Sequence, residues 1–188
     1  DLSVGAMKTG MLGDVATVEI VASLLGEMGA APVVVDPVMV ATSGDVLLKP
    51  DAIDAVRHAL LPRASLITPN LPEASRLLDR PEATTEADMR AQAEALMQFG
   101  CGAVLLKGGH GSGEDVIDML FDGKTHASFR RPRIVTSNTH GTGCTLSAAI
   151  AAGLALGKPL DVAVADAKGF VWGALSSGLH LHVGKGRN

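Results

Sequence analysis

The feature that most constrains this chain is the alternation of short, largely apolar runs with helical patterns along nearly its whole length. The runs Leu2–Met7, Pro32–Asp36, Ser65–Thr68 and Gly102–Lys107 show no strict apolar/polar alternation. Strands of that kind are buried on both faces, as in a parallel sheet covered by helices on each side. Between and after them, helical patterns cover Val15–Met28, Pro50–Leu60, Pro72–Leu78 and Glu86–Phe99. The last opens on Thr85 with Asp88 three residues on, a capping-box spacing, and closes on Gly100. Repeated βαβ units follow from this order.

Downstream, Val116–Phe121 and Lys124–Phe129 flank Asp122-Gly123, a two-residue hairpin signal that adds an antiparallel edge. Two more helices are expected, one through Leu146–Leu156 ending near Gly157 and one over Asp161–Ser176. The expected fold is an α/β three-layer sandwich, a mostly parallel central sheet with helices on both faces and an antiparallel edge hairpin. A chain of 188 residues with 47% hydrophobic content has enough material for one domain, 1–188, around a substantial core. Its start, Asp1-Leu2-Ser3-Val4, has no initiator Met and reads as the middle of an element, so a missing N-terminal portion is expected.

Composition removes several function classes. Sixteen basic and twenty acidic residues leave a net charge of −4 and no basic stripe, and 3% aromatics leave few platforms for stacking bases, so nucleic acid is not an expected partner. The cluster Arg130-Arg131-Pro132-Arg133 reads as a solvated loop, with contact to a phosphate tail as the alternative. Two cysteines, Cys101 and Cys144, make no disulfide framework. No signal peptide or apolar run of membrane-spanning length is visible, so no membrane partner is expected and a reducing cytoplasm fits best. The six histidines, His180 and His182 included, lack ligand spacing for a metal site.

Chemistry concentrates at two places. The first is Asn138-Thr139-His140-Gly141-Thr142-Gly143-Cys144-Thr145, where two glycines lead into a small-residue helical run. Glycines let backbone N–H groups converge, and the unpaired amides and dipole of a helix start add positive character, which makes an anion site with phosphate as its guest. The alternative is a plain connection; no Gly-Lys-Ser/Thr follows, and Leu146 stands where a dinucleotide fingerprint needs its third glycine. A helix start also lowers the pKa of a thiol placed on it, which makes Cys144 a candidate base or nucleophile.

The second place is the set of strand ends, where ligands sit in an open parallel sheet. Strand two ends in Asp36-Pro37-Val38-Met39, strand three in Thr68-Pro69-Asn70-Leu71-Pro72-Glu73 and strand four in Lys107-Gly108-Gly109-His110. One edge thus offers carboxylates for Mg²⁺, directly or through water, a cation for phosphate charge and a backbone cradle. Each residue also has a local reading: Asp36 stopping a strand before Pro37, Asn70 starting a helix with Pro72, Lys107 facing solvent.

Five segments in this order resemble the hydroxymethylpyrimidine and phosphomethylpyrimidine kinases of thiamine biosynthesis, within the ribokinase-like superfamily. They are Met7-Lys-Thr-Gly-Met-Leu12, Asp36-Pro-Val-Met-Val-Ala-Thr-Ser-Gly44, Thr68-Pro-Asn-Leu-Pro-Glu-Ala74, Val104-Leu-Leu-Lys-Gly-Gly-His110 and Asn138-Thr-His-Gly-Thr-Gly-Cys-Thr-Leu-Ser147. With the closing Val183-Gly184-Lys185-Gly186 they span nearly the whole chain. The resemblance implies a ribokinase-like kinase that uses ATP and Mg²⁺ to phosphorylate 4-amino-5-hydroxymethyl-2-methylpyrimidine and then its monophosphate, in the cytoplasm and as a homodimer. It implies an anion hole at Gly141, Thr142, Gly143 and Cys144, with Cys144 where most relatives place a catalytic Asp. It places Asp36 near metal and transferred phosphoryl, Asn70 and Glu73 in the element that helps position Mg²⁺ and phosphates, and Lys107 near the nucleotide. Met7, Val38 and Cys144 are then expected to line the pyrimidine pocket. Two departures stand out: family members carry a further N-terminal portion, and Arg187-Asn188 replace the usual residues after Gly186.

Three rival readings accompany it. Pyridoxal kinases share the fold, and some carry Cys in the same turn. An ADP-linked hydro-lyase of the superfamily is expected to have Asp at position 144. A noncatalytic ligand-binding domain would keep the fold without the chemistry, and the joint presence of Asp36, Asn70, Glu73, Lys107 and Cys144 argues against it.

Overall fold

Three strands with hardly a polar side chain among them form the centre of the molecule: β2 (Val33–Val35), β3 (Leu66–Ile67) and β4 (Val104–Leu106), all fully buried. Removing each such side chain from water contributes about 1.5–3 kcal/mol. The structure, a computed structural model, describes residues 3–39, 47–111 and 113–181. Its sheet has six strands in the order β1 (Met7–Thr9), β2, β3, β4, β5 (Asp115–Phe121), β6 (His126–Pro132). β1 to β4 run parallel, and β5 and β6 are antiparallel to their neighbours.

Helix α1 (Val15–Glu27) connects β1 to β2, α2 (Ala52–Ala55) connects β2 to β3, and α3 (Leu71–Leu78) with α4 (Glu86–Leu96) connects β3 to β4. These cover one face, where Val33, Val35, Ile67, Val104 and Leu106 point. Helices α5 (Thr142–Ala155) and α6 (Leu160–Ser177) cover the other, against Val34, Leu66 and Leu105. The period-two alternation of side chains thus divides each buried strand between two cores. This is the ribokinase-like three-layer arrangement with an antiparallel pair at one side of the sheet.

The local signals hold at most helix ends. Asp14 caps α1, its carboxylate accepting the Thr17 N–H at 3.0 Å. Thr85 and Asp88 form the expected capping box on α4, and Gly100 takes φ +79° where the following 3₁₀ turn ends.

Four expectations need correction. The first strand lies at Met7–Thr9 rather than Leu2–Met7, because the ladder is set by the partner: Met7, Lys8 and Thr9 stand opposite Val33, Val34 and Val35. Leu2 falls outside the described residues, as do 40–44 of the second quoted segment, His182, Val183–Gly186 and the Arg187-Asn188 end. The helix expected over Pro50–Leu60 is α-helical only at Ala52–Ala55, then widens to a π-turn over Val56–Leu60 and tightens to a 3₁₀ turn over Leu61–Arg63. Pro62 lacks an N–H and its ring crowds the carbonyl four residues back, so the ladder cannot continue unchanged. The hairpin loop holds four residues, Asp122–Thr125, closed by the pair Phe121 and His126. The Asp122 carboxylate accepts the N–H groups of Lys124 (2.9 Å) and Thr125 (2.7 Å), an Asx-type turn that outcompetes the two-residue form. Finally, Arg130–Pro132 belong to β6 rather than a loop, with Arg130 paired to Asp115 and Glu86 across exposed surface.

Candidate active site

Parallel pairing of β2, β3 and β4 brings three chain segments, distant in sequence, out at one end of the sheet. Asp36 is the residue after β2, Thr68 follows β3, and Lys107 follows β4, held there by its N–H to the Pro69 carbonyl at 2.8 Å. Asp36 is 1% exposed. Its Oδ1 accepts from Lys107 Nζ at 2.7 Å and from Thr68 Oγ1 at 3.1 Å, and its Oδ2 accepts from Ser147 Oγ at 3.4 Å. Burial by itself pulls the Lys107 ammonium down, but the charges of Asp36 and Glu73 outweigh it and raise its pKa. The lysine is therefore a fixed cation rather than a base.

Helix α5 begins above this pair. Gly141 is its N-cap at φ +78°, a left-handed conformation that glycine adopts without the Cβ penalty, and it offers no capping side chain. Thr145 N–H closes the first turn on the Gly141 carbonyl at 2.8 Å, whereas among the described residues the Gly143 and Cys144 N–H groups find no partner. A Cβ on Gly143 would lie 3.2 Å from Lys107 Nζ and 3.9 Å from Asp36 Oδ2. The start of α5 thus lies against the lysine, and amides without a protein partner beside a fixed cation are a combination suited to anionic oxygens. Ser147, the sixth residue of the helix, has its Oγ 3.1 Å from each of the Gly143 and Cys144 carbonyls, so these and Asp36 Oδ2 are alternative acceptors for its one hydroxyl hydrogen.

Asn70 and Glu73 are brought beside the pair but are engaged with each other. Asn70 Oδ1 accepts the Glu73 N–H at 2.8 Å, and Glu73 Oε2 accepts the Asn70 N–H at 2.7 Å, a reciprocal capping box on α3. The helix-start reading of Asn70 is therefore correct as structure. Burial pushes the Glu73 carboxyl up from 4.5 to about 7, against the opposing pull of Lys107 and the Asn70 amide. A carboxyl that holds its proton more tightly folded than unfolded stabilises the fold below pH 4.5 and loses that contribution as the pH rises to about 7. Glu73→Gln keeps the cap acceptor and removes the titration. Its urea-unfolding free energy should lose less across that window than the wild type's, by on the order of 3 kcal/mol. An unchanged slope would assign the pH dependence elsewhere.

The Asp36 oxygens are already occupied by protein donors, and no group of three or more His, Cys, Asp or Glu able to hold a metal occurs among the described residues. That donor set does not make a closed protein cage. It suits a cation that keeps its waters and rides on phosphate oxygens, the habit of Mg²⁺.

Cys144 is exposed in the first turn of α5 and lines an open groove of about 750 Å³ with Lys8, Ala148, Ala152, Leu156 and Phe170. Met7 faces the other way and packs on the core beneath α1, so Lys8 is the β1 residue that reaches this groove. Val38 is half-buried just beyond Asp36, its N–H bonded to the Asp36 carbonyl at 2.8 Å. Sequence reasoning assigned no role to Thr68, Ser147 or Lys8. Thr68 was detectable as the last polar residue of an apolar run, and Ser147 as the polar residue one turn after Gly143; nothing local marks Lys8.

The family model described as phosphomethylpyrimidine kinase matches residues 1–188. The hydroxymethylpyrimidine/phosphomethylpyrimidine kinase of Rhizobium meliloti is 51% identical over 187 residues, which cover 100% of this chain and 70% of that protein. A thiamine biosynthesis bifunctional protein of Geobacter sulfurreducens is 44% identical over 99% of this chain and 38% of its own length. Among solved structures, the pyridoxal kinase of Staphylococcus aureus in complex with AMP-PCP and pyridoxal superposes with a TM-score of 0.86 and 34% identity, over 95% of this chain and 64% of that one. This chain therefore spans less than two thirds of that kinase.

Proposed function

The chain belongs to the phosphomethylpyrimidine kinase family, and from that premise we propose that it transfers the γ-phosphoryl group of ATP to 4-amino-5-hydroxymethyl-2-methylpyrimidine and then to the resulting monophosphate, in thiamine biosynthesis. The observation that carries the proposal is that the start of α5 at Gly143, where the Gly143 and Cys144 amides have no partner among the described residues, lies against the Lys107 ammonium, which is itself anchored by buried Asp36. Phosphoryl transfer needs little covalent help from a protein; it needs positioning and fixed positive charge. The Gly141–Cys144 turn and Lys107 supply both toward the transferred group. Asp36 and Glu73 would hold Mg²⁺, which would neutralise charge on the phosphates. Asp36 also keeps Lys107 charged and oriented, and Asn70 keeps Glu73 in place. Cys144 accepts the proton of the substrate alcohol. Val38 belongs to the wall of the pyrimidine pocket, whereas Met7, turned into the core, supports β1 from beneath.

An exposed, unpaired thiol at Cys144 suits a reducing cytoplasm, and a homodimer completes the proposal. Sedimentation equilibrium tests the dimer. A second reading, pyridoxal kinase, is favoured by the likeness to the staphylococcal kinase. A coupled ATP assay on the full chain, with the two pyrimidines and pyridoxal side by side, decides between them. Turnover of pyridoxal alone would overturn the pyrimidine reading, and absence of any ATP turnover would leave a binding domain.

A further inference from the structure

Apart from the site pair, one other ion pair is deeply buried among the described residues, and it sits directly behind the Lys107 turn. Asp118 of β5 is 5% exposed and Lys168 of α6 is 7% exposed. Lys168 Nζ donates to Asp118 Oδ2 at 2.6 Å, and Asp118 Oδ1 accepts the Gly108 N–H at 2.9 Å. Both residues interrupt apolar surroundings, Val-Ile-Asp118-Met-Leu-Phe on the strand and Asp-Ala-Lys168-Gly-Phe-Val on the helix. A charge pair in such a place costs desolvation that apolar side chains of the same size would avoid, so its presence calls for a task beyond stability.

The geometry supplies one. Gly108 approaches β5 so closely that a Cβ on it would lie 2.0 Å from the Ile117 carbonyl oxygen. The turn beyond Lys107 is therefore pressed against β5, and the Asp118 carboxylate is the clamp that receives its first amide. Asp118 also adds its charge to those that keep Lys107 protonated. Lys168 holds the clamp by neutralising it from the α6 side. On the far side of the same turn, Arg133 bonds the carbonyls of Gly109 (2.9 Å) and Gly113 (2.7 Å), so the segment is held from two directions.

We propose that Asp118 and Lys168 are positioning residues for nucleotide binding: Asp118 fixes the Gly108 amide and the direction of Lys107, and Lys168 fixes Asp118. The inference rests on the reading of Lys107 as the cation that meets ATP. Neither residue touches substrate; both act through the turn. Loss of the clamp lets the turn and Lys107 move, which weakens ATP binding and spares the pyrimidine.

The test is steady-state kinetics on the full chain, varying ATP and pyrimidine separately, with Asp118→Ala, Lys168→Met and Lys168→Arg. Asp118→Ala should raise KM for ATP by about tenfold, the size expected for losing a hydrogen bond to a charged group, with KM for the pyrimidine unchanged. Lys168→Met should shift it in the same direction by less, and Lys168→Arg, which keeps the charge, should restore it. Thermal unfolding is recorded for each; if Asp118→Ala fails to fold, Lys168→Met and Lys168→Arg carry the comparison. Variants that unfold at lower temperature but keep the wild-type KM for ATP overturn the inference and leave the pair purely structural. A wild-type chain that turns over no ATP overturns the functional reading, and this inference with it.

Discussion

Replacing Cys144 by serine slows phosphorylation of the hydroxymethyl alcohol by about 10²-fold or more and leaves phosphorylation of the monophosphate nearly unchanged. The two steps ask different things of position 144. An alcohol is a poor nucleophile until a base takes its proton, a contribution of about 10²- to 10⁴-fold. A phosphate oxygen is already ionised at neutral pH and needs no base. A fixed carboxylate beside it would repel the incoming charge. A thiol can give up its proton to assist the first step and stay neutral during the second. It stands exposed in the first turn of α5, one residue beyond Gly143, whose Cα lies beside Lys107. Cys144→Asp should therefore preserve the first activity and depress the second. Rates for both steps, measured with saturating ATP, check this; equal losses in both steps for both variants would show that Cys144 merely fits the turn.

Gly143→Val should lower phosphoryl transfer by about 10²- to 10³-fold, the loss seen when a donor to developing negative charge is removed. The first carbon of the new side chain would stand 3.2 Å from Lys107 Nζ and 3.9 Å from Asp36 Oδ2. The branched remainder must push the ammonium aside and screen the Gly143 amide, so both sources of positive charge are disturbed together. Pyrimidine binding, measured calorimetrically without nucleotide, should change little, because the amides meet charge in transit rather than the ring. A parallel loss of pyrimidine affinity would move the anion hole away from this turn.

Much of the fold was legible because its signals are local. Thr85 with Asp88, and Asn70 with Glu73, start helices through bonds that reach three residues along the chain. The apolarity of Val33–Val35 and Val104–Leu106 announced strands covered on both faces. The Gly141 turn announced a helix start with unpaired amides. The errors arose where a neighbour decides. The position of β1 depends on pairing with Val33–Val35, and a shift of one residue exchanges which of Met7 and Lys8 meets the groove beside Cys144.

The site divides in the same way. By itself, the sequence determined which residues emerge at the strand ends and that a helix follows the Gly141–Gly143 turn, because strand burial, caps and glycine turns follow from residues a few positions apart. Only the tertiary structure decided that Asp36 is bound to Lys107, 71 residues away, and Asp118 to Lys168, 50 away. It also decided that Glu73 titrates near 7, since that value comes chiefly from its removal from water. Charge, proton affinity and hydrogen-bond reach are set by whatever packs within a few ångströms, and in a parallel sheet those neighbours arrive by crossover connections that no local pattern encodes.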